Sequence, residues 1–185
     1  YEVQDALHRA IQNSRIHYTL TGHAGEVLAV AYSPDGKLLA TAGRDTTAKI
    51  WDAATGTELV TLRGHSLIVE DVAFSPDGKI LATASGDQTV KLWDVESWRE
   101  LGTLDVNDDL IWIISFSADG KLLATGGDVT ANVWDVNTGQ LVLNLEGQTG
   151  PVAFSPVGNQ LATSNDDGTT KIWDVETGEE NLSLP

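Results

Sequence analysis

Cysteine and methionine are both absent from this 185-residue chain. Without cysteine there can be no disulfide and no thiolate metal site. Histidine is scarce. His8, His17, His23 and His65 are the whole set, and no pair has the helical spacing of a zinc protease, so no metal is expected. Glycines stand singly in turns rather than in a phosphate-cradling loop, so no nucleotide or other cofactor is expected either. No apolar run approaches the roughly 18 residues that cross a bilayer, and no signal peptide is in view. A cytoplasmic protein that does not enter membranes is therefore expected. Basic residues are few, with 11 Lys and Arg against 27 Asp and Glu and a net charge of −16. That field repels nucleic acid and anionic lipid, and permits a basic protein partner without demanding one. The chain starts at Tyr1 rather than Met, so it is expected to be a piece of a longer polypeptide.

What the chain has is a repeat. Trp-Asp occurs at Trp51-Asp52, Trp93-Asp94, Trp134-Asp135 and Trp173-Asp174, in steps of 42, 41 and 39 residues. A fixed period near 40 residues marks stacked supersecondary units, none of which can bury its apolar face alone. The second unit is the clearest. It runs from Gly64-His65 through the apolar stretch Ile68 to Phe74, then Ser75-Pro76-Asp77-Gly78, Ile80 to Thr83, Gly86-Asp87 and Thr89 to Asp94. Short β-prone runs between Gly, Pro and Asp clusters predict antiparallel strands joined by hairpins. Lys91, set between Val90 and Leu92, predicts one wetter strand face. In the turn, proline presets φ, Asp suits the next position and Gly accepts positive φ at the exit. The turn recurs as Ser33-Pro34-Asp35-Gly36 and, weakened, as Ser117-Ala118-Asp119-Gly120 and Ser155-Pro156-Val157-Gly158. A second turn series follows Trp-Asp and ends in Gly56, Gly139 and Gly178, with Trp98 in the corresponding place of the second repeat.

Gly-His, Ser-Pro-Asp-Gly, an Asp in the third turn and a closing Trp-Asp together resemble the WD-repeat β-propeller family over about residues 16–185. The resemblance implies an all-β fold of four four-stranded antiparallel blades, at about 21–62, 63–104, 105–145 and 146–185. Inner strands are expected at Val27–Tyr32, Val69–Phe74, Leu110–Phe116 and Pro151–Phe154. Second strands are expected around Leu39, Leu81, Leu123 and Leu161, and third strands ending at the four Trp. Outer strands are expected near Leu59–Leu62, Leu101–Leu104, Leu141–Leu145 and Asn181–Leu184. Residues 1–15 lie outside the repeats. Val3, Ala6, Leu7, Ala10, Ile11 and Ser14 follow helical spacing and predict a short amphipathic helix that caps a blade edge, connects to an upstream domain or docks as a separate peptide. Ile16 to Leu20 reads as an extra outer strand.

His, Thr and Asp recur together and superficially suggest nucleophilic catalysis. The sets are His23, Thr41, Asp45 and Trp51, then His65, Thr83, Asp87 and Trp93. The resemblance implies instead a structural hydrogen-bonded tetrad in each blade, and a catalytic site would occur once rather than once per repeat. The network thins along the chain. Asn107 and Gln148 take the His place, while Thr125, Asp128 and Trp134, and Thr163, Asp167 and Trp173, persist. Eleven of the 27 acidic residues belong to these motifs and turns, so much of the acidity is architectural.

The resemblance implies a non-enzymatic platform for protein partners. Carried residue by residue, its partner-binding positions fall on Glu26, Leu28, Arg44, Ile68, Glu70, Leu110 and Trp112, with Gly86 and Asp166 nearby. Trp112 stands outside the Trp-Asp pattern and suits an interface anchor, or else packing against a neighbouring blade. Trp98 offers a second exposed contact or a cover for its own hairpin. The turn style resembles large bacterial signalling proteins whose propeller sits behind an effector domain. The alternatives are a purely structural array and, less well supported by the inner strands, an enzyme with a site in the central channel. Four blades are few for the family. Three arrangements remain open: a homodimer closing an eight-bladed ring, a part of a longer array, or four blades closed on themselves.

Overall fold

A computed structural model describes residues 19–106 and 110–185. The predicted N-terminal helix, most of the extra strand and Asn107 lie outside the described residues; Thr19 and Leu20 are not in a strand. Sixteen strands follow in order. The first sheet holds β1 (Val27–Tyr32), β2 (Leu38–Gly43), β3 (Ala48–Asp52) and β4 (Glu58–Leu62). The second holds β5 (Val69–Phe74), β6 (Ile80–Ser85), β7 (Thr89–Asp94) and β8 (Glu100–Asp105). The third holds β9 (Ile111–Phe116), β10 (Leu122–Gly127), β11 (Thr130–Asp135) and β12 (Leu141–Glu146). The last holds β13 (Val152–Phe154), β14 (Gln160–Ser164), β15 (Thr170–Asp174) and β16 (Glu180–Leu184). Each sheet is a four-stranded antiparallel meander in chain order. The third and fourth inner strands start one residue later than expected, at Ile111 and Val152, and the third strands run one residue on, to the Asp of each Trp-Asp.

The hairpins form where the turn chemistry dictates. Ser33 Oγ donates to Asp35 Oδ1 at 2.7 Å and accepts the Leu38 N–H at 2.9 Å, which closes the β1–β2 turn. Ser75 and Ser117 do the same. The Asp of Trp-Asp pins the β3–β4 turn. Asp52 Oδ1 accepts from the Thr55 N–H at 2.7 Å and the Thr55 hydroxyl at 2.8 Å, and Asp135 and Asp174 repeat the pattern. In blade four Val157 replaces the turn Asp, and Ser155 Oγ donates to the Val157 carbonyl instead.

Three apolar clusters hold the blades together, one per junction. Between blades one and two, Ala40, Ala42, Ile50 and Leu62 pack against Val69, Val72, Leu81 and Trp93. Ala82, Leu92 and Leu104 meet Ile111, Ile114, Leu123 and Trp134 at the next junction. Ala124, Val133 and Leu145 meet Val152, Leu161 and Val175 at the third. Every blade therefore has two faces. A trailing face of small residues and a Leu fits a leading face of β-branched residues, a Leu and the Trp. Inner strands meet in sequence, β1 on β5, β5 on β9 and β9 on β13, and no comparable packing joins blade four to blade one among the described residues. Val30 of β1 is 65% exposed, whereas its counterparts Val72, Ile114 and Val152 are 4, 5 and 3% exposed. Closure of four blades on themselves, one of the three arrangements considered, is thus not the structure.

Candidate functional site

The recurring His, Thr, Asp and Trp come together in blades one and two. Trp51 Nε1–H donates to Thr41 Oγ1 at 2.9 Å, and Thr41 Oγ1 lies 2.8 Å from His23 Nε2. His23 Nδ1 faces Asp45 at 3.0 Å, so the proton sits on Nδ1 and the threonine hydroxyl donates to Nε2. Asp45 also accepts from the Ala24 N–H at 2.8 Å and the Thr47 hydroxyl at 2.7 Å. Blade two repeats the chain: Trp93 to Thr83 at 2.9 Å, Thr83 to His65 at 2.8 Å, and His65 to Asp87 at 3.1 Å. The network ties the loop entering a blade to the middle of its sheet and to the β2–β3 or β6–β7 turn.

The electrostatics follow. Burial would raise Asp45, yet hydrogen bonds from Thr47, His23 and the Ala24 N–H outweigh it and hold its carboxyl well below the usual range. Burial would likewise raise Asp87, and bonds from Thr89, the Ser66 N–H and His65 outweigh it and hold its carboxyl below the usual range. Burial lowers His65, against the pull of Asp87. The threonine oxygens are engaged within the network. Thr41 and Thr83 are buried, and each already accepts the indole N–H while donating to His.

Blade three retains Trp134 to Thr125 at 3.2 Å, with Asp128 in the following turn. In blade four Trp173 donates to Thr163 at 2.9 Å, and the Thr163 hydroxyl donates to Gln148 Oε1 at 2.9 Å. Gln148 is buried and so supplies the acceptor that His supplies elsewhere, but it does not reach the turn. Asp167 there accepts from Thr169 at 2.6 Å.

A second repeated polar group is not part of the sequence reading. Lys49 Nζ donates to both Glu58 carboxylate oxygens, at 2.9 and 3.0 Å, and to Thr61 Oγ1 at 2.8 Å. Lys91, Glu100 and Thr103 repeat it, and Lys171 pairs with Glu180 at 3.0 Å. Lys49 is buried, while Lys91, where a wetter face was expected, is half-buried between buried Val90 and Leu92, and both lysines pair with a glutamate that stays open to solvent. Gly22 passes directly over it: a Cβ there would lie 2.7 Å from Glu58 Oε2 and 2.9 Å from the Trp51 ring, which explains Gly in Gly-His. The signal was present as Lys two residues before Trp and Glu seven after it, in three of four repeats. Blade three substitutes Asn144 donating to Asn132 at 2.7 Å.

The positions assigned to partner binding gather at one end of the arc, where the inner strands begin and the β2–β3, β6–β7 and β10–β11 turns lie. Leu28, Glu70 and Trp112 are equivalent residues, and each is the unpaired residue of a β-bulge, since the ladder skips from Val27 to Ala29, from Val69 to Asp71 and from Ile111 to Ile113. A bulge re-aims the extra side chain out of the ladder. Trp112 is 48% exposed, next to exposed Leu110. Arg44 Nε pairs with Glu26 Oε2 at 2.7 Å, both well exposed; Ile68 and Glu70 are half-buried and Gly86 is buried. Two exposed apolar residues at this end were missed, Leu67 and Val129. They stand where other repeats have Gly25 and the polar turn residues Thr46 and Gln88, which a repeat-against-repeat alignment reveals. Trp98 lies at the opposite end. It adopts φ of 57° in place of glycine and packs half-buried on the cluster between blades one and two.

Comparison with known proteins agrees with this geometry. The family described as "WD domain, G-beta repeat" matches residues 14–52, 56–94, 98–135 and 139–174, most of the chain. The chain belongs to the WD-repeat family. It is similar to the Notchless protein homolog of Arabidopsis thaliana, 47% identical over 58 residues, which is 31% of this chain and 12% of that protein. It also resembles the small ribosomal subunit protein RACK1z of Arabidopsis thaliana, 45% identical over 49 residues, or 26% of this chain and 15% of the relative. It is also similar to the vegetative incompatibility protein HET-E-1 of Podospora anserina, 54% identical over 39 residues, covering 21% of this chain and 3% of the relative. Among solved structures, "Crystal structure of RRP9 WD40 repeats" superposes with a TM-score of 0.84 at 22% identity, over 90% of this chain and 53% of that one. The chain thus spans about half of that solved propeller chain and a small part of the curated relatives it matches.

Proposed function

We infer that this chain is a non-enzymatic platform of the cell interior that binds a protein partner at the loop end of the arc. The carrying observation is Trp112, a half-exposed indole held out by a bulge beside exposed Leu110. Buried aromatic anchors supply most of the binding energy in protein interfaces. Leu28 and Leu67 extend the apolar surface along the same end, and Glu26 and Glu70 set acids among it. That chemistry suits an apolar segment flanked by basic residues. Matches of one repeat to RACK1 and Notchless support an interaction role in general terms; service in a larger signalling protein is the finer proposal. The exposed bulge residues Leu28 and Trp112 favour this reading over a purely structural array, which has no use for an indole at the surface.

A peptide-display library selected on the 185-residue chain tests the reading. The expected binders are apolar and basic, and lose about tenfold or more in affinity for Trp112→Ala and Leu110→Ala, whose melting should be unchanged. Binders indifferent to both substitutions would place the partner elsewhere.

A further inference from the structure

The two ends of the arc each expose one blade face, and the two faces match. On the leading face of blade one, Val27, Val30 and Tyr32 are exposed, although Val69 and Val72 at the first two of these positions are buried in blade two. A cleft of about 260 Å³ lined by Leu20, His23, Val27, Thr41 and Trp51 opens beside them. On the trailing face of blade four, Leu184 is 45% exposed, against 4, 2 and 5% for Leu62, Leu104 and Leu145. Leu182 and Ala153 are exposed with it, and Ile172 is half-buried where Ile50 is fully buried.

At three positions the trailing face of blade four carries what the internal trailing faces carry, and Ser164 and Thr170 stand where blade one has Ala42 and Ala48. Ala162 stands for Ala40, Ile172 for Ile50 and Leu184 for Leu62. The leading face of blade one likewise carries Val30, Leu39 and Trp51 for Val72, Leu81 and Trp93; Val30 is exposed, Leu39 half-buried and Trp51 buried. None of these positions is charged, which a self-contact needs in a chain of net charge −16.

Two finer fits select this chain's own face as the occupant. First, the turn proline of one blade sits over the turn glycine of the next. Pro34 lies 3.6 Å from where a Cβ on Gly78 would be, and Pro76 lies 3.3 Å from the same point on Gly120. Pro156 of blade four is exposed, and the corresponding Gly36 of blade one has nothing within 4 Å. Second, at the first and third junctions the outer-strand residue and the facing turn residue are matched in size, whereas at the second both are glycine, Gly102 and Gly139. Leu143 lies 3.1 Å from the Cβ position of Gly178, whereas the smaller Val60 belongs to the cluster filled by Trp98. Leu182 of blade four repeats Leu143 and so requires a glycine opposite, which Gly56 of blade one supplies.

We propose that two copies of this chain associate head to tail, the trailing face of blade four on the leading face of blade one at both junctions, and close an eight-bladed ring. A heterologous contact that closes after two copies gives a discrete dimer rather than a filament. The contact is separate from the loop end assigned to partner binding, so failure of one reading leaves the other standing.

Light scattering on the size-fractionated chain measures it. The expected mass is twice 19.7 kDa. Val30→Asp and Leu184→Asp, both at exposed positions, should each fold with unchanged circular dichroism and weaken the dimer by about tenfold or more. Mixing the two variants restores one intact junction and therefore a dimer that neither forms alone. Val30→Ala, which introduces no charge, should weaken association in the same direction. A monomer at all soluble concentrations, an open series of larger oligomers, or a dimer indifferent to both aspartates would overturn the proposal.

Discussion

Blades one and four are both terminal, and each leaves one face open, yet they keep different parts of the repeat. Blade one has the whole chain from Trp51 through Thr41 and His23 to Asp45, and Trp51 is buried. Blade four has Trp173 and Thr163, stops at Gln148, and leaves Trp173 half-buried. Its inner strand is three residues long, against six in blade one. The comparison separates two jobs. The Trp–Thr bond belongs to the sheet and survives in all four blades, because an unpaired indole N–H would cost wherever it is covered. The His–Asp link belongs to the loop, and blade four does without it.

The sharpest way to break the comparison is to remove the threonine in a complete blade and in a reduced one. Thr83→Val leaves the Trp93 N–H and His65 Nε2 unpartnered in a dry site, while His65 Nδ1 keeps Asp87, at a cost of roughly 2–4 kcal/mol. Thr163→Val strands a half-buried indole and Gln148, at roughly 1–2 kcal/mol. Denaturant midpoints should order the two variants so, and equal losses would remove the distinction.

A second prediction concerns Asp71, which sits where the other inner strands have Ala29, Ile113 and Pro151. Burial pushes its carboxyl up to about 6, although it accepts N–H groups from Val72 and, across the junction, from Ile114 at 2.9 Å. The folded chain therefore holds this proton more tightly than the unfolded chain does, and the group's contribution to stability declines as pH rises from about 4 to about 6. Asp71→Asn should abolish that decline and raise stability at pH 7 by roughly 1–3 kcal/mol. Asp45, Asp87 and His65 act in the opposite sense. Their depressed pKa values make stability fall as pH drops, through the range below 6.5 for His65 and through the low carboxylate range for the aspartates. Stability against pH in the wild type and Asp71→Asn separates the two contributions.

The smallest effect is expected at the junction of blades two and three. There Gly102 and Gly139 stand where the preceding junction has Val60 and Trp98, and a groove of about 370 Å³ results, lined by Ile80, Leu101, Leu104 and Val136. A Cβ on Gly102 meets nothing within 4 Å. Gly102→Val should stabilise by roughly 0.5–1 kcal/mol, since strand glycine is entropically unfavourable and the new side chain has room. A thermal melt decides the sign.

Strand positions and tetrad members were legible because Gly-His, Ser-Pro-Asp-Gly and Trp-Asp recur at fixed offsets, and each offset sets a turn or a strand face. The bulges at Leu28, Glu70 and Trp112 were not, since a bulge changes register without changing residue type. Exposure of Val30 and Tyr32 was equally hidden. Sequence places Val30 with Val72 and Ile114, and only the arc leaves it 65% exposed where they are buried. The Lys49–Glu58–Thr61 group, of which the lysine is buried, was legible in retrospect, but lysine at alternating strand positions reads as solvent-facing until its partner on the next strand is seen. Residues 1–15, expected to be helical, lie outside the described residues.

The account rests on the tetrad, rather than the sheet alone, setting how firmly a blade's entry loop is held. Hydrogen exchange at the indole N–H groups of the four Trp-Asp tryptophans tests this directly, with blades one and four as the matched pair of open ends. The account predicts Trp51 and Trp93 exchanging slowest, Trp134 intermediate and Trp173 fastest. Exchange at Trp173 as slow as at Trp51 would contradict it.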